Sequence, residues 1–286
     1  MLSLHTNNAA LSAQNSINRT QGSLSTSMTR LSTGYRINSS MDDAAGLQIA
    51  TRLKAQTSGM AVAMRNTQNS TSMLQTAEGA LDEVSNMLVR MKDLATQAAD
   101  ASSTAADKTA MQSEYDALGT ELYNVMSNTT FGGAKLLAGG TIASAMTFQI
   151  GSSTSEKMTV DMSGSMTTLD TDVLATTANY AAVAVIGTEL TGAGTASTSI
   201  DKLSTAIASI GTVRSALGAS ANRLEHVYNN LSNISTNSKA ATGRIMDVDF
   251  ASESSKMTTS QMLLQAGTAM LKQSNSMSSM VMSLLQ

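Results

Sequence analysis

Few residues in this chain are of a type and spacing that do chemistry. Two carboxylate pairs are adjacent, Asp42-Asp43 and Asp82-Glu83. Paired carboxylates can serve general acid–base work, but only in a pocket that separates their proton affinities. Two carboxylates beside a helix start are more often partners of the helix dipole, and Ser39, Ser40, Asp42 and Asp43 precede a strongly helical pattern. The two histidines, His5 and His226, have no neighbouring ligand set. With no cysteine there is no thiolate nucleophile, thiolate metal site or disulfide. The phosphate loop GxxxxGK[ST], the dinucleotide loop GxGxxG, the zinc helix HExxH and the nucleophile elbow GxSxG do not occur. No catalytic residue, metal or cofactor is expected.

The composition points instead to packed helices. Aromatics are 3% of the 286 residues, and Ala, Ser and Thr make up about two fifths. A compact globular core normally leans on large aromatic surfaces. This chain has no Trp and no Pro, and it carries 21 Met. At seam positions those methionines read as adaptable packing rather than metal ligands. A net charge of −3 argues against a generally basic nucleic-acid binder. The longest aliphatic run, Ala181 to Ile186, falls far short of the ~18 residues a membrane span needs. The first residues lack a basic and an apolar region, so no Sec-type signal is expected.

From Met60 through Leu74, Leu81, Leu88 and Ala95 to Ala98, small and apolar residues step by threes and fours. That 3.5-residue period marks a coiled-coil seam. One helix from about 41 to 100 would be roughly 90 Å long. Thr104 with Asp107 resembles a capping box, opening a second helix to about Ser127. Met146–Ile150 and Met158–Met162 alternate and predict a β-hairpin. Residues 163–198 show little periodicity and read as a small, surface-exposed insert. Heptads return from Ile200 to Val248 and imply a helix of up to ~70 Å.

The two ends differ from the rest. One seam contains Leu4, Leu11, Ile17, Leu24, Met28, Leu31 and Tyr35; the other contains Met257, Leu264, Leu271, Met277, Val281 and Leu284. Residues 1–34 carry only Arg19 and Arg30 as charges, and residues 254–286 only Lys256 and Lys272. Solvated helices carry charge on their outer face. These ends are therefore expected to be disordered in a single chain and ordered by self-association. The predicted fold is mainly α: a long antiparallel coiled-coil rod built from both ends, with the β-hairpin and insert at its far end. Sticky ends repeating head to tail give an open helical polymer.

Several motifs now resemble one family. RLSTGYRIN (Arg30–Asn38) followed by DDAAG (Asp42–Gly46) looks like the N-terminal signature of bacterial flagellins. TAEGAL (Thr76–Leu81) and FGGAKLL (Phe131–Leu137) follow in the same order. LGASANRL (Leu217–Leu224), RIMDVDF (Arg244–Phe250) and QAGTAML (Gln265–Leu271) resemble the family's C-terminal part. The likeness covers about 1–140 and 200–286.

This resemblance implies a structural subunit of the flagellar filament. Residues 1–37 and 250–286 would form the inner terminal domain around a central channel. Residues 38–140 and 200–249 would form the rod domain, and 141–199 the hairpin and variable insert. It implies type III export to the cell exterior, an export chaperone, and filament cap and hook–filament junction proteins as partners. It does not imply nucleic acid or membrane. VRMKDLA (Val89–Ala95) resembles the motif bound by the animal Toll-like flagellin receptor, with Arg90, Leu94 and Glu114 in matching positions. Lys92 and Asp93 replace the Arg and Glu commonest there. Arg90 and Leu94 would share a helix face outside the Leu88/Met91/Ala95 seam. The Ser/Thr content of 152–199 resembles relatives that carry O-linked sugars. Two other readings share parts of the pattern. A hook–filament junction protein shares the terminal helices. A signalling coiled coil shares the seams but not the uncharged ends.

Overall fold

The structure, a computed structural model, describes residues 7–183 and 185–284, with side chains described up to 277. The order is α1 (Asn8–Thr33), α2 (Ala44–Ala99), α3 (Ala105–Asn128), β1 (Thr130–Phe131), β2 (Ala134–Lys135), β3 (Met146–Gln149), β4 (Lys157–Val160), α4 (Ser163–Thr176), α5 (Thr195–Met246) and α6 (Phe250–Leu284). Helix dominates, as the mainly α expectation holds. Two compact units result. One holds the chain through Thr57 and from Thr236 onward; the other spans Ser58–Ser235.

In the second unit, stretches of α2 and α5 run antiparallel. Met60 and Ala63 cluster with Leu231, while Arg214 reaches back to Glu78 (2.7 Å) and Asp82 (2.9 Å). A larger core cluster lies apart from these residues. It gathers Leu81 and Leu88 of α2, Leu122 and Met126 of α3, Met158 of β4, and Leu203 and Leu217 of α5. Thr104 caps α3 in the expected box, its hydroxyl accepting from Asp107 N while the Asp107 carboxylate accepts from Thr104 N at 3.0 Å. The hairpin forms in antiparallel register, with Met146 opposite Val160 and Phe148 opposite Met158. A second, smaller hairpin joins β1 to β2. Gly132 and Gly133 both adopt positive φ (60° and 86°), the geometry that lets a two-residue turn follow strand twist.

The insert departs from expectation. Residues 163–176 form α4, not an irregular surface segment. Met166, Leu169 and Val173 lie three and four apart and enter the main core. The following loop is pinned by a polar node on α3. Asp116 Oδ1 accepts from Gln112 Nε2 (2.7 Å) and Asn179 Nδ2 (2.8 Å), and Oδ2 accepts from Gly187 N (3.0 Å). Glu189 accepts from Ala178 N and from the same Gln112 amide. Tyr115 is buried and donates to Thr176 O at 2.7 Å, and burial pushes its phenol well above the usual range.

In the first unit, α1 and α6 pair antiparallel. Asn7 meets Ser274, Ile17 meets Gly267, and Ser27 meets Glu253. The ends therefore form a helical pair within one chain, contrary to the expectation that they order only on assembly. A bridge between Tyr35 and Asp247 ties the two linkers, with Arg36 N donating to Met246 O and Val248 N to Gly34 O. Gly34 ends α1 in the left-handed region (φ 75°), its N–H closing on Arg30 O.

Within the second unit, buried and exposed leucines are expected to respond differently to substitution. Leu88 is fully buried, so Leu88→Ala is expected to cost about 2–5 kcal/mol. Leu174 is 57% exposed, so Leu174→Ala is expected to stay within about 0.5 kcal/mol. Guanidinium unfolding followed by circular dichroism checks both.

Candidate assembly surface

The α1–α6 pair is built from one stripe per helix. On α6 the inward residues are Glu253, Met257, Ser260, Leu264, Gly267, Leu271 and Ser274, all buried or half-buried. They repeat by fours and threes. Facing them on α1 are Ile17, Thr20, Leu24, Ser27 and Leu31. Small residues let the backbones approach: a Cβ on Gly267 would lie 2.9 Å from the Ile17 side chain.

One charge lies inside this stripe. Glu253 is 4% exposed and Ser27 is 5% exposed. Ser27 Oγ donates to Glu253 Oε1 at 2.7 Å. Lys256 Nζ stands 3.5 Å from Oε2 and Arg30 Nη1 3.8 Å from Oε1. The Ser27 hydrogen bond, helped by the two cations, holds the Glu253 carboxyl below the usual range. Arg30 Nε is buried with no hydrogen-bond partner among the described residues. Beside the node runs an open groove lined by Ser23, Thr26, Arg30, Lys256 and Thr259.

The outer faces are nearly free of charge, and large apolar side chains stand among their Ser, Thr, Asn and Gln. Met262, Leu263, Met270 and Met277 of α6 are 58, 56, 68 and 54% exposed. At about 100° per residue they fall within roughly 100° of arc, turned away from the stripe that faces α1. On α1, Leu11 and Met28 are about half exposed, as is Tyr35 just beyond it.

The expected seam residues thus divide. Ile17, Leu24, Leu31, Met257, Leu264 and Leu271 form the intramolecular stripe. Leu11, expected in that seam, is exposed instead, as are Met28, Tyr35 and Met277. Leu4 and the side chains of Val281 and Leu284 lie outside the described residues. Reading the ends as one seam each missed the second, outward stripe that begins at Met262.

On the second unit, Arg90 and Glu114 form an exposed ion pair, Nε to Oε1 at 2.7 Å and Nη2 to Oε1 at 2.6 Å. Leu94 does not accompany them. It is 2% exposed and part of the core, which corrects the expectation that it lies outside the seam. Several elements pack on α2, so its buried stripe is wider than a strict heptad and takes in Leu94.

The other candidate chemistry resolves into structure. Asp42 Oδ2 accepts from the backbone of Asn38 and Ser39, which holds its carboxyl below the usual range, and Asp43 Oδ1 accepts from Gly46 N in the first turn of α2. Asp82 pairs with Arg214, and Glu83 is exposed. His226 is exposed on α5, and His5 lies outside the described residues. Among the described residues no three His, Cys, Asp or Glu side chains gather as a metal site, and no helix is long and apolar enough to cross a membrane.

The bacterial flagellin N-terminal helical region matches residues 4–141, and the bacterial flagellin C-terminal helical region matches 200–285. The chain belongs to the flagellin family. It is a structural filament subunit and not an enzyme. Flagellin A of Vibrio anguillarum is 34% identical over an alignment that covers all of both chains. B-type flagellin of Pseudomonas aeruginosa is 48% identical over 57% of this chain and 32% of its own length. A solved structure described as a flagellar hook-associated protein from Vibrio parahaemolyticus shares the fold, with a TM-score of 0.56, 16% identity, and coverage of 72% of this chain and all of that one.

The lowered Glu253 carboxyl makes the α1–α6 pair sensitive to acid. Its contribution is complete above the ordinary glutamate value of 4.5 and is lost as pH falls through the lower folded value. Amide protection over α1 and the first turns of α6, taken relative to the intrinsic exchange rate at each pH, is expected to fall as pH drops below the ordinary glutamate value of 4.5. Glu253→Gln keeps an acceptor for Ser27 but removes the charge. It is expected to exchange faster at pH 6 and to flatten that acid dependence.

Proposed function

We propose that the outward faces of α1 and α6 are the surfaces through which this flagellin subunit polymerises. The supporting observation is the uncharged, half-exposed row of Met262, Leu263, Met270 and Met277. A single chain leaves that row in water, where it is unfavourable. Copies of the same chain supply matching apolar faces. Copies added head to tail give a continuous helical tube. In this reading 1–37 and 250–286 form its inner layer, and 38–140 with 200–249 the outer rod. The seam from Leu11 to Leu31 and from Met257 to Leu284 then serves both the helical pair and its neighbours. Secretion through a type III export apparatus, an export chaperone, a cap and a hook–filament junction belong to the same reading.

Leu263→Asp places a charge in the row and leaves every residue of the α1 stripe unchanged. It is expected to leave the helical signal and thermal melt of the monomer intact and to abolish seeded polymerisation, read by sedimentation. Normal polymerisation of this variant would refute the assembly surface.

A second surface is the Arg90–Glu114 pair, which we propose as the contact for the Toll-like flagellin receptor. Both side chains are about half exposed, so the pair adds only about 0–1 kcal/mol to the fold and is free to exchange partners. Arg90→Ala is expected to reduce the response of receptor reporter cells to monomer while leaving the melt unchanged. Leu94→Ala is expected to act through the core, lowering the melting temperature. An unaltered reporter response to Arg90→Ala would remove this contact.

A further inference from the structure

Among the described residues, methionines range from fully buried to largely exposed. In the second unit Met91, Met126, Met146, Met158 and Met166 are 0, 1, 5, 4 and 2% exposed. On α6, Met262, Met270 and Met277 are each more than half exposed. These three share the face that also carries Leu263, and no charged side chain falls within its arc. A thioether there is open to solvent in the free chain and, on the reading above, sealed between copies in the polymer.

We propose that Met262, Met270 and Met277 are reversible oxidation sites, and that converting them to sulfoxides switches off self-association. The inference rests on the assembly surface proposed above. The oxidant is a two-electron acceptor that transfers one oxygen atom, such as hydrogen peroxide. A sulfur lone pair attacks one peroxide oxygen. The S–O bond forms as the O–O bond breaks. Sulfur loses two electrons, and the other oxygen takes up the proton and leaves as water. The product carries a strong S–O dipole in place of an apolar thioether. Packed against an uncharged apolar neighbour, that oxygen would lose its water without gaining a donor. Polymerisation and oxidation therefore exclude each other. The free subunit is sensitive, and the assembled one is shielded.

The test treats full-length monomer and preformed polymer with the same dose of hydrogen peroxide. Peptide mass spectrometry reads the sites, and seeded elongation reads the function. In monomer, Met262, Met270 and Met277 are expected to oxidise before the buried methionines, and elongation to fall by about tenfold or more. In polymer the three are expected to stay reduced. Methionine sulfoxide reductases of both epimer specificities are expected to restore elongation. A triple variant, Met262→Leu with Met270→Leu and Met277→Leu, made in a Met28→Leu background because Met28 stands on the outward face of α1, keeps the apolar rows and retains the exposed Met41. It is expected to elongate normally after peroxide.

Undiminished elongation of wild-type monomer oxidised at all three sites would overturn the proposal. So would loss of elongation in the peroxide-treated triple variant equal to that of wild type. The reductase rescue decides the matter even if that variant assembles poorly. Leu263 does not oxidise. If oxidised wild type elongates while Leu263→Asp does not, the redox inference fails and the assembly surface stands. If Leu263→Asp elongates, the assembly surface itself fails.

Discussion

Two helices that pack on each other can bury only one stripe apiece. That limit governs the first unit. Alone, α1 and α6 close a stripe from Asn7–Ser274 to Ser27–Glu253, with small residues keeping the backbones near. The remaining surface of each helix is Ser, Thr, Asn, Gln and apolar side chains, with almost no charge. An ordinary surface helix satisfies water with charges on that side. These helices do not, and their apolar outer rows stay exposed. Self-association is the state in which this surface is no longer unfavourable.

The second unit solves the same problem within one chain. Its α2 and α5 bury their seams against each other, α3, α4 and the hairpin, so its core closes without partners. Arg214 between Glu78 and Asp82, and the Gln112–Asp116–Asn179–Glu189 node, use polar contacts to fix what the apolar core leaves loose. The contrast explains why Met91, Met126 and Met166 are sealed in the second unit while Met262, Met270 and Met277 of α6 stand open. It also explains why the only carboxylate inside the α1–α6 stripe needs a serine and two cations around it: an unpaired buried charge would be far costlier.

Much of this architecture is legible in the sequence. The threes and fours from Met60 to Ala98, the Thr104–Asp107 box and the alternation of Met146–Ile150 with Met158–Met162 all lie within short windows where local geometry decides. What is not legible depends on distant partners. Met166, Leu169 and Val173 keep helical spacing, but Ser, Thr and Asp between them hide it in so short a segment. Leu94 enters the core because more than one element covers α2, and a single-partner heptad does not anticipate that. The polar node joins residues more than sixty positions apart. The terminal seams were readable as apolar, but nothing local separates the stripe that faces α1 from the one that faces outward.

The most direct measurement is a helical reconstruction of the polymer by electron cryo-microscopy, at a resolution that places side chains. Leu263, Met270 and Met277 are expected within about 4.5 Å of apolar atoms from neighbouring copies. The Ser27–Glu253 stripe is expected to be retained within each subunit. A polymer in which the Met262–Met277 row faces open solvent, with subunits joined only through the second unit, would contradict the proposed assembly surface.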